Sequence, residues 1–453
     1  YVEQNAEEIY SNILNSTRLC IEEFESEGYN ASSIRACGIS NQRETLVVWD
    51  KNGNPLHNAV VWQCKRSVDI CSRLQSKGME SEINEKTGLI IDPYFSGTKM
   101  IWLNENHEQV KKSVRGGKAY FGTIDTWLLY KLTEGKSYFT DYTNASRTLF
   151  FNLKELKWDI DLLDKYGLRK LHLPEAVASS YSFGESDFEG LFKKPVPITG
   201  MIGDSHAASF GEGCFNPGTA KATLGTGSSI LLNTGRNPVF SKEGMVTTIC
   251  WSTAERVDYA LEGVIVTCGA TIEWLKNQIG LFADSRITEV MATAVPDNNG
   301  VYLIPAFSGL GAPHWKMDAK AIIAGLTFGS TKNHIVRAAL ESIPYQIKDV
   351  IAEMEKESSL ELKELKIDGG ISANNFVVQF LSDILNVVVT NIGIADVSAL
   401  GAALIAGLGA GMYDNVEEIS EIAYQSNSKY PGKNQDQVFR DYEIWKKYIQ
   451  KYF

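Results

Sequence analysis

The sequence predicts an α/β protein built as two lobes. Three observations lead there. Strand-like and helix-like segments alternate along the whole chain, 453 residues exceed what one ordinary core accommodates, and several apolar strands end in Gly, Thr and Asp turns. Ligands of α/β proteins gather at the carboxyl ends of strands, so those turns are where function is to be sought.

The elements follow in order. From Glu3 to Glu27 the chain is polar, with Ile9, Ile13, Leu14, Cys20, Ile21 and Phe24 recurring at roughly helical spacing, which predicts a helix. Short β-like runs cover Ile34–Ser40 and Glu44–Asp50, and Asn52-Gly53 with Asn54-Pro55 marks the turn after them. Residues 63–84 and 96–115 read as helical, 119–133 as a strand running into a helix, and 159–167 as a short helix. A second block opens with the apolar strand Pro195–Gly203, which runs into Asp204-Ser205-His206 and a small-residue helix. Thr219–Thr234 reads as a hairpin turning at Gly225-Thr226-Gly227. Beyond it come a helix over 268–279, a strand over 301–305, a long helix over 332–356, a strand over 365–368 ahead of Gly369-Gly370, and a helix over 372–385.

Composition narrows the function classes. Hydrophobic residues make up 44% and charged residues 22%, the profile of a globular protein in water. With 44 Lys+Arg against 55 Asp+Glu the net charge is −11, which argues against a nucleic acid or an anionic membrane as the main partner. The seven cysteines are scattered without a C-x-x-C pair, so a reducing, cytoplasmic setting is expected and a disulfide framework is not. The longest small-apolar stretch, Ser398–Met412, is shorter than a bilayer span, and no signal peptide is read.

Several residue clusters carry chemistry. Leu224-Gly225-Thr226-Gly227-Ser228-Ser229 joins flexible glycines to hydroxyls, so that successive amides can point at one anion; taken alone, an ordinary hairpin turn explains it more simply. Asp368-Gly369-Gly370 ahead of a helix can seat a nucleotide or merely end a strand. Asp204 is the best catalytic candidate, because a carboxylate at a strand-to-helix junction can reach into a cleft and deprotonate an alcohol; its simpler use is a helix cap. His206 beside it reads as structural. Asn41-Gln42-Arg43-Glu44 suits a polyhydroxylated ligand, with Arg donating and Glu accepting, and Trp62 and Tyr142 offer apolar faces to sugar C–H groups. There is no G-x-x-x-x-G-K-[ST], H-E-x-x-H or G-x-S-x-G.

Together with longer blocks, these residues resemble the FGGY family of carbohydrate kinases, and its glycerol-phosphorylating branch most closely. The blocks include Gly38–Thr45, Asn58–Cys64, Thr87–Lys99, Thr140–Thr148, Tyr259–Gly263, Pro305–Pro313, Asp368–Gly370 with Asn374-Asn375, and Ser398–Ala403, spread over almost the whole chain. The resemblance implies two actin-like ATPase (ribonuclease H-like) lobes with a central cleft, residues 1–210 holding the polyol and 211–453 the ATP. It implies polyol contacts at Arg43, Glu44, Trp62, Tyr142, Asp204, Ser205 and Ser229, with Asp204 as general base and as the residue nearest Mg²⁺. Nucleotide contacts fall on Gly225, Thr226, Gly227, Gly269, Glu273, Gly370 and Asn374. Self-association is expected at the level of the family only.

The chain departs from the family pattern in four places. Ser205 stands where the pattern has Gln, Ser229 where it has an apolar Phe, and Glu273 where it has Gln on the adenine side. The first two changes shorten side chains, which leads to the expectation of a roomier and more polar pocket. The pattern also begins with a strand–turn–strand that supports Mg²⁺ and phosphate, upstream of where this sequence starts; without it, weak turnover is expected. The reading is therefore ATP-dependent phosphorylation of glycerol to glycerol 3-phosphate. Two readings stand beside it: the same chemistry on a larger polyol or ketopentose such as erythritol, xylitol, xylulose or ribulose, and a non-catalytic ligand-binding protein on the same scaffold.

Overall fold

A computed structural model describes residues 1–422, 424–433 and 435–453. Strand and helix alternate as expected. Helix α1 (Ala6–Ser26) begins where the Asn5 side chain accepts from the amides of Glu7 and Glu8, whose carboxylates also suit the positive end of the helix. Strand β1 (Cys37–Asn41) lies parallel to β4 (Val196–Gly203), and Gly184–Ser186 closes that small sheet on the far side. Between them in sequence, β2 (Leu46–Trp49) pairs antiparallel with β3 (Tyr120–Thr123) and, through Leu46 alone, with Ala59–Val60. In β2 all four residues are buried, and in β4 every residue except Pro197. Such runs show no polar alternation because both faces are covered.

The second half of the chain is organised on one seven-stranded sheet. After helix α2 (Asp204–Gly211) come β5 (Thr219–Leu224), β6 (Ser228–Gly235), β7 (Val246–Ser252) and β8 (Val257–Ile265), then β9 (Glu364–Asp368), β10 (Val388–Asn391) and β11 (Asn427–Lys429). Their spatial order is β7-β8-β6-β5-β9-β10-β11. The β5–β6 hairpin is antiparallel, whereas β5, β9 and β10 run parallel, so the ends of β5 and β9 open on the same edge. The long helix α3 (Lys332–Ser358), capped reciprocally by Thr331 and His334, and helix α4 (Asn375–Leu385) cover this sheet and supply much of the larger core.

Helix α5 (Val397–Gly409) ties the halves together. It packs on β1, on β4 and on α2, and the apolar cluster around it runs from Ile202, Ala207 and Phe210 through Leu231 and Trp251 to Ala402 and Ile405. Close approach is possible because side chains are missing at the contacts. A Cβ on Gly401 would lie 1.8 Å from the carbonyl oxygen of Ala207, and one on Gly38 would lie 2.2 Å from that of Ala402. The Gly- and Ala-rich stretch noted only for its length is this helix.

Other differences from the sequence reading have local causes. The helical stretch over 63–84 is two helices, Val68–Ser76 and Glu80–Thr87, parted at Gly78 with φ 69°. That over 96–115 likewise divides at His107 into Ser96–Asn106 and Glu108–Arg115. The segment after Cys268 is α-helical only over Ala270–Trp274 and continues as one π-helical turn. Strands β7 and β8 were invisible to periodicity because both are buried on two faces.

Replacing Gly401 by Ala forces a methyl group into the Ala207 carbonyl. Overpacking of this kind costs about 1–3 kcal/mol. Gly401→Ala is expected to lower the melting temperature by a few degrees in differential scanning fluorimetry, and an unchanged transition would show that α5 is not clamped as described.

Candidate active site

Strand β4 ends at Gly203 and the chain turns directly into α2, which places Asp204 at the mouth of a cleft of about 830 Å³ between the halves. The Asp204 carboxylate is about half exposed, at 49%. Its Oδ1 accepts from the Ser205 amide at 2.6 Å and lies 3.2 Å from Nε of Arg43, while no hydrogen bond engages Oδ2 among the described residues. It does not serve as the helix cap: Gly203 occupies that position, without a side-chain bond. From α5, the Ser398 hydroxyl donates to the Asp204 carbonyl at 3.0 Å, so the interlobe helix also fixes this residue's backbone.

Behind Asp204 lies a buried ionic cluster. Arg43 Nη2 donates to Glu262 Oε1 at 2.8 Å, Arg147 Nη1 is 2.7 Å from Glu262 Oε2, and Arg147 Nε donates to Glu44 Oε1 at 2.6 Å. Burial opposes ionisation of Glu262, but the charges of Arg147 and Arg43 outweigh it and hold the carboxyl far below the usual range. For Glu44 burial is the larger influence, and its carboxyl is raised despite Arg147 and Arg43. Arg43 lines the cleft and retains a buried Nη1 without a partner. A buried donor left unpaired is costly, so a ligand oxygen is its natural complement. His206 is fully buried and held neutral, burial and then the Arg43 charge pushing its pKa well down, which removes it as a cleft base.

The aromatic wall corrects an expectation. Tyr142 does not face the cleft. It opens a short helix whose cap is Asp141, and it packs against Leu153, Ile249 and Tyr259, 6.0 Å from the Phe151 ring. The tyrosine that lines the cleft is Tyr94, which meets Trp62 edge-to-face at 5.7 Å. Both sit on backbone held by Lys99, whose buried ammonium donates to the carbonyls of Pro93 at 2.9 Å, of Tyr94, and of Trp62 at 3.5 Å. Burial brings that lysine down to about 8. Glu44 is a second correction. It is buried, its φ of 58° lies in the left-handed region, and its carboxylate is engaged by Arg147 and does not line the cleft.

The nucleotide-side candidates form one edge. The Gly225–Gly227 turn is clasped to the following helix, with the Gly269 amide donating to Gly225 O at 2.9 Å and the Cys268 amide to Thr226 O at 2.8 Å. A Cβ on Gly269 would sit 2.7 Å from that Gly225 oxygen and 3.3 Å from Ile371, so the turn, Gly269 and Gly370 adjoin. Across the sheet, Thr223 pairs with Asp368. Asn374 caps α4 and also donates to Thr288 at 3.2 Å. Glu273 is exposed and accepts from Asn277 at 3.1 Å, on the outer rim. Thr226, Gly227, Ser205 and Ser229 all line the cleft.

Among the described residues no cluster of three or more His, Cys, Asp or Glu side chains could cage a metal ion. Mg²⁺ does not require one, since waters and phosphate oxygens fill most of its positions and one or two carboxylates suffice. The half-exposed Asp204 and the neighbouring Asp368 fit that role. Glu262, Arg147, Tyr94, Lys99 and Lys221 carry the geometry of this site, yet motif reading assigned them nothing. Four of them lie inside or beside blocks already notable in the sequence, and only their partners reveal their use.

Comparison with known proteins shows the family. Residues 1–211 match the FGGY family of carbohydrate kinases, N-terminal domain, and residues 220–410 match its C-terminal domain. The chain is 47% identical over 428 residues to a glycerol kinase of Thermoanaerobacter sp. (strain X514), covering 94% of this chain and 86% of the relative. A glycerol kinase of Caldanaerobacter subterraneus subsp. tengcongensis is 45% identical over 452 residues, covering 100% and 90%. The crystal structure of Plasmodium falciparum glycerol kinase with ADP superposes with a TM-score of 0.93 at 34% identity, over 100% of this chain and 90% of that one. A gluconate kinase from Lactobacillus acidophilus, TM-score 0.87 at 20% identity, shares the fold.

Glu262 is the carboxylate common to both arginines, and removing one partner of a buried ionic cluster costs about 3–5 kcal/mol. Glu262→Gln is expected to lose that much at pH 7, measured as the urea unfolding midpoint. The folded pKa is depressed, so the contribution of Glu262 is complete above its ordinary value of about 4.5 and declines as pH falls below it. The gap between wild type and variant should therefore narrow in acid; a gap independent of pH would contradict the assignment.

Proposed function

Because the chain belongs to the FGGY family of carbohydrate kinases, we propose that it phosphorylates glycerol to glycerol 3-phosphate with ATP as donor and Asp204 as general base. The fold is the two-lobed, actin-like one, and the enzyme is a kinase. The observation that carries the mechanism is Asp204 itself: half exposed in the cleft, with Oδ1 held by Arg43 and the Ser205 amide and Oδ2 open to a proton. In this reading residues 1–210 hold the polyol and 211–453 the nucleotide.

Phosphoryl transfer asks the protein for alignment and charge stabilisation more than for covalent chemistry. The polyol would lie against Trp62 and Tyr94, with a hydroxyl oxygen accepting from the unpartnered Arg43 Nη1. Asp204 would orient the attacking hydroxyl and take its proton through Oδ2 as the oxygen attacks the γ-phosphorus and the β,γ-bridging oxygen leaves with ADP. The Thr226 and Gly227 amides and the Thr226 hydroxyl would receive the phosphate oxygens, the Gly225 amide being held by the Gly227 carbonyl. Mg²⁺, when bound, would be held by Asp204 and Asp368 and would supply charge that neutralises the phosphates. Closure of the halves would exclude water as a competing acceptor.

The seven cysteines are all free, and among the described residues no helix is long and apolar enough to cross a membrane. We place the enzyme in the reducing cytoplasm, acting on a small diffusible substrate.

A general base contributes about 10²- to 10⁴-fold. Asp204→Asn is expected to lower kcat by that much in a coupled ADP-release assay with glycerol, while titration calorimetry still detects nucleotide binding. Turnover within about tenfold of wild type would remove Asp204 from the chemistry. A wild-type chain that binds polyol and never releases ADP would instead favour the binding-protein reading.

A further inference from the structure

The polyol side of the cleft carries a hydrogen-bonded chain whose direction can be worked out atom by atom. Lys221 on β5 is fully buried, and its ammonium donates to Ser205 Oγ and to Thr223 Oγ1, each at 2.7 Å. Ser205 Oγ lies 3.1 Å from Ser229 Oγ, and Ser229 Oγ donates to Glu262 Oε1 at 3.0 Å. An ammonium only donates, an ionised carboxylate only accepts, and a hydroxyl has one proton. Both ends of the chain are thereby set. Arg43 and Arg147 keep Glu262 ionised, so the Ser229 proton goes to Glu262. The Ser205 proton then goes to Ser229, since Ser229 has no second proton with which to make that bond.

Neither serine has a proton left for a ligand. Each keeps one unused lone pair, and both residues line the cleft beside Asp204. Thr223 differs: it accepts from Lys221 but no other side-chain partner takes its proton among the described residues. It lines the cleft, paired across the sheet with Asp368 on one side and with Ser229 on the other. One buried lysine thus sets a donating hydroxyl, that of Thr223, beside the accepting serine pair.

We propose that Lys221 is a specificity-setting positioning residue, which together with Glu262 orients Ser205 and Ser229 as hydrogen-bond acceptors so that the site selects sugar alcohols, including those longer than three carbons, over the corresponding ketoses. This rests on the kinase reading above and names its acceptor class. An alditol hydroxyl donates to the serine wall. A ketone oxygen can only accept, meets lone pairs there, and leaves the wall unsatisfied. The side chains of Ser205 and Ser229 are both short, so the wall is set back and leaves room for a fourth or fifth carbon with its hydroxyl. Lys221 does not line the cleft and acts through the two serines.

The test uses matched pairs differing only in alcohol against ketone: glycerol with dihydroxyacetone, erythritol with erythrulose, xylitol with xylulose. ADP release gives kcat/KM for each, and titration calorimetry gives binding without turnover. The wild type is expected to prefer the alcohol in every pair by about 10- to 100-fold, the effect of leaving one buried acceptor unsatisfied. Erythritol should serve at least as well as glycerol. In Lys221→Met the Ser205 proton is free to turn while Ser229 stays committed to Glu262, so the alcohol-to-ketone ratio should fall, mainly through KM. Ser229→Ala, which removes one acceptor with little change of volume, should lower the same ratio should the lysine variant prove too unstable to assay. A wild-type ratio near one in binding, or a ratio unchanged in both variants, overturns the proposal. Absence of ADP release with every acceptor overturns the kinase reading instead, and the binding ratios still decide this one.

Discussion

Glu262 reaches from β8 into the other half of the chain and ends between two arginines, Arg43 and Arg147, each buried with it. The rest of the site is arranged around that contact. Three charges in a water-poor interior repay their desolvation only when every oxygen and nitrogen is well placed. Glu44 supplies the second carboxylate, so two cations face two anions. The arrangement is better understood as a positional constraint than as a source of net stability. It holds Arg43 where Nε meets Asp204, it holds Glu262 ionised where Ser229 can donate to it, and it joins segments that meet only in the folded chain.

A second constraint is steric. Helix α5 is able to lie against β1, β4 and α2 because backbone meets backbone at Gly38 and Gly401. That packing sets where α2 begins, and the Ser398 bond to the Asp204 carbonyl sets its first residue. The ionic cluster therefore fixes the side chain of Asp204 and the glycine packing fixes its backbone. Thr223 and Ser229 are cross-strand partners in the β5–β6 hairpin, so hydroxyls of opposite hydrogen-bond direction stand side by side on one wall of the cleft.

Much of this was legible before any coordinates. The apolar run Val196–Gly203 ending in Asp204, and the hairpin turning at Gly225–Gly227, are local patterns whose meaning does not depend on distant residues. The aromatic contact was not legible. Tyr142 and Tyr94 both sit in prominent blocks, and composition offers no reason to prefer either. Tyr94 lines the cleft because Lys99 pins its carbonyl, whereas Tyr142 is drawn into the cluster of Leu153, Ile249 and Tyr259. Strands β7 and β8 escaped notice for a related reason: burial on both faces erases the alternation by which a strand is usually read.

By itself the sequence determined the alternation of strands and helices, the family, and the junction at which the acidic residue stands, because each depends on neighbours a few positions apart. Tertiary structure decided which side chains serve the cleft and in which direction their protons point. Arg43 and Glu262 lie 219 positions apart, and Asn41 and Asn144 lie 103 apart. Periodicity and motif spacing carry no information over such separations. The orientation of the Ser205 and Ser229 hydroxyls depends on a buried lysine at one end and a buried carboxylate at the other, and only folding brings the four together.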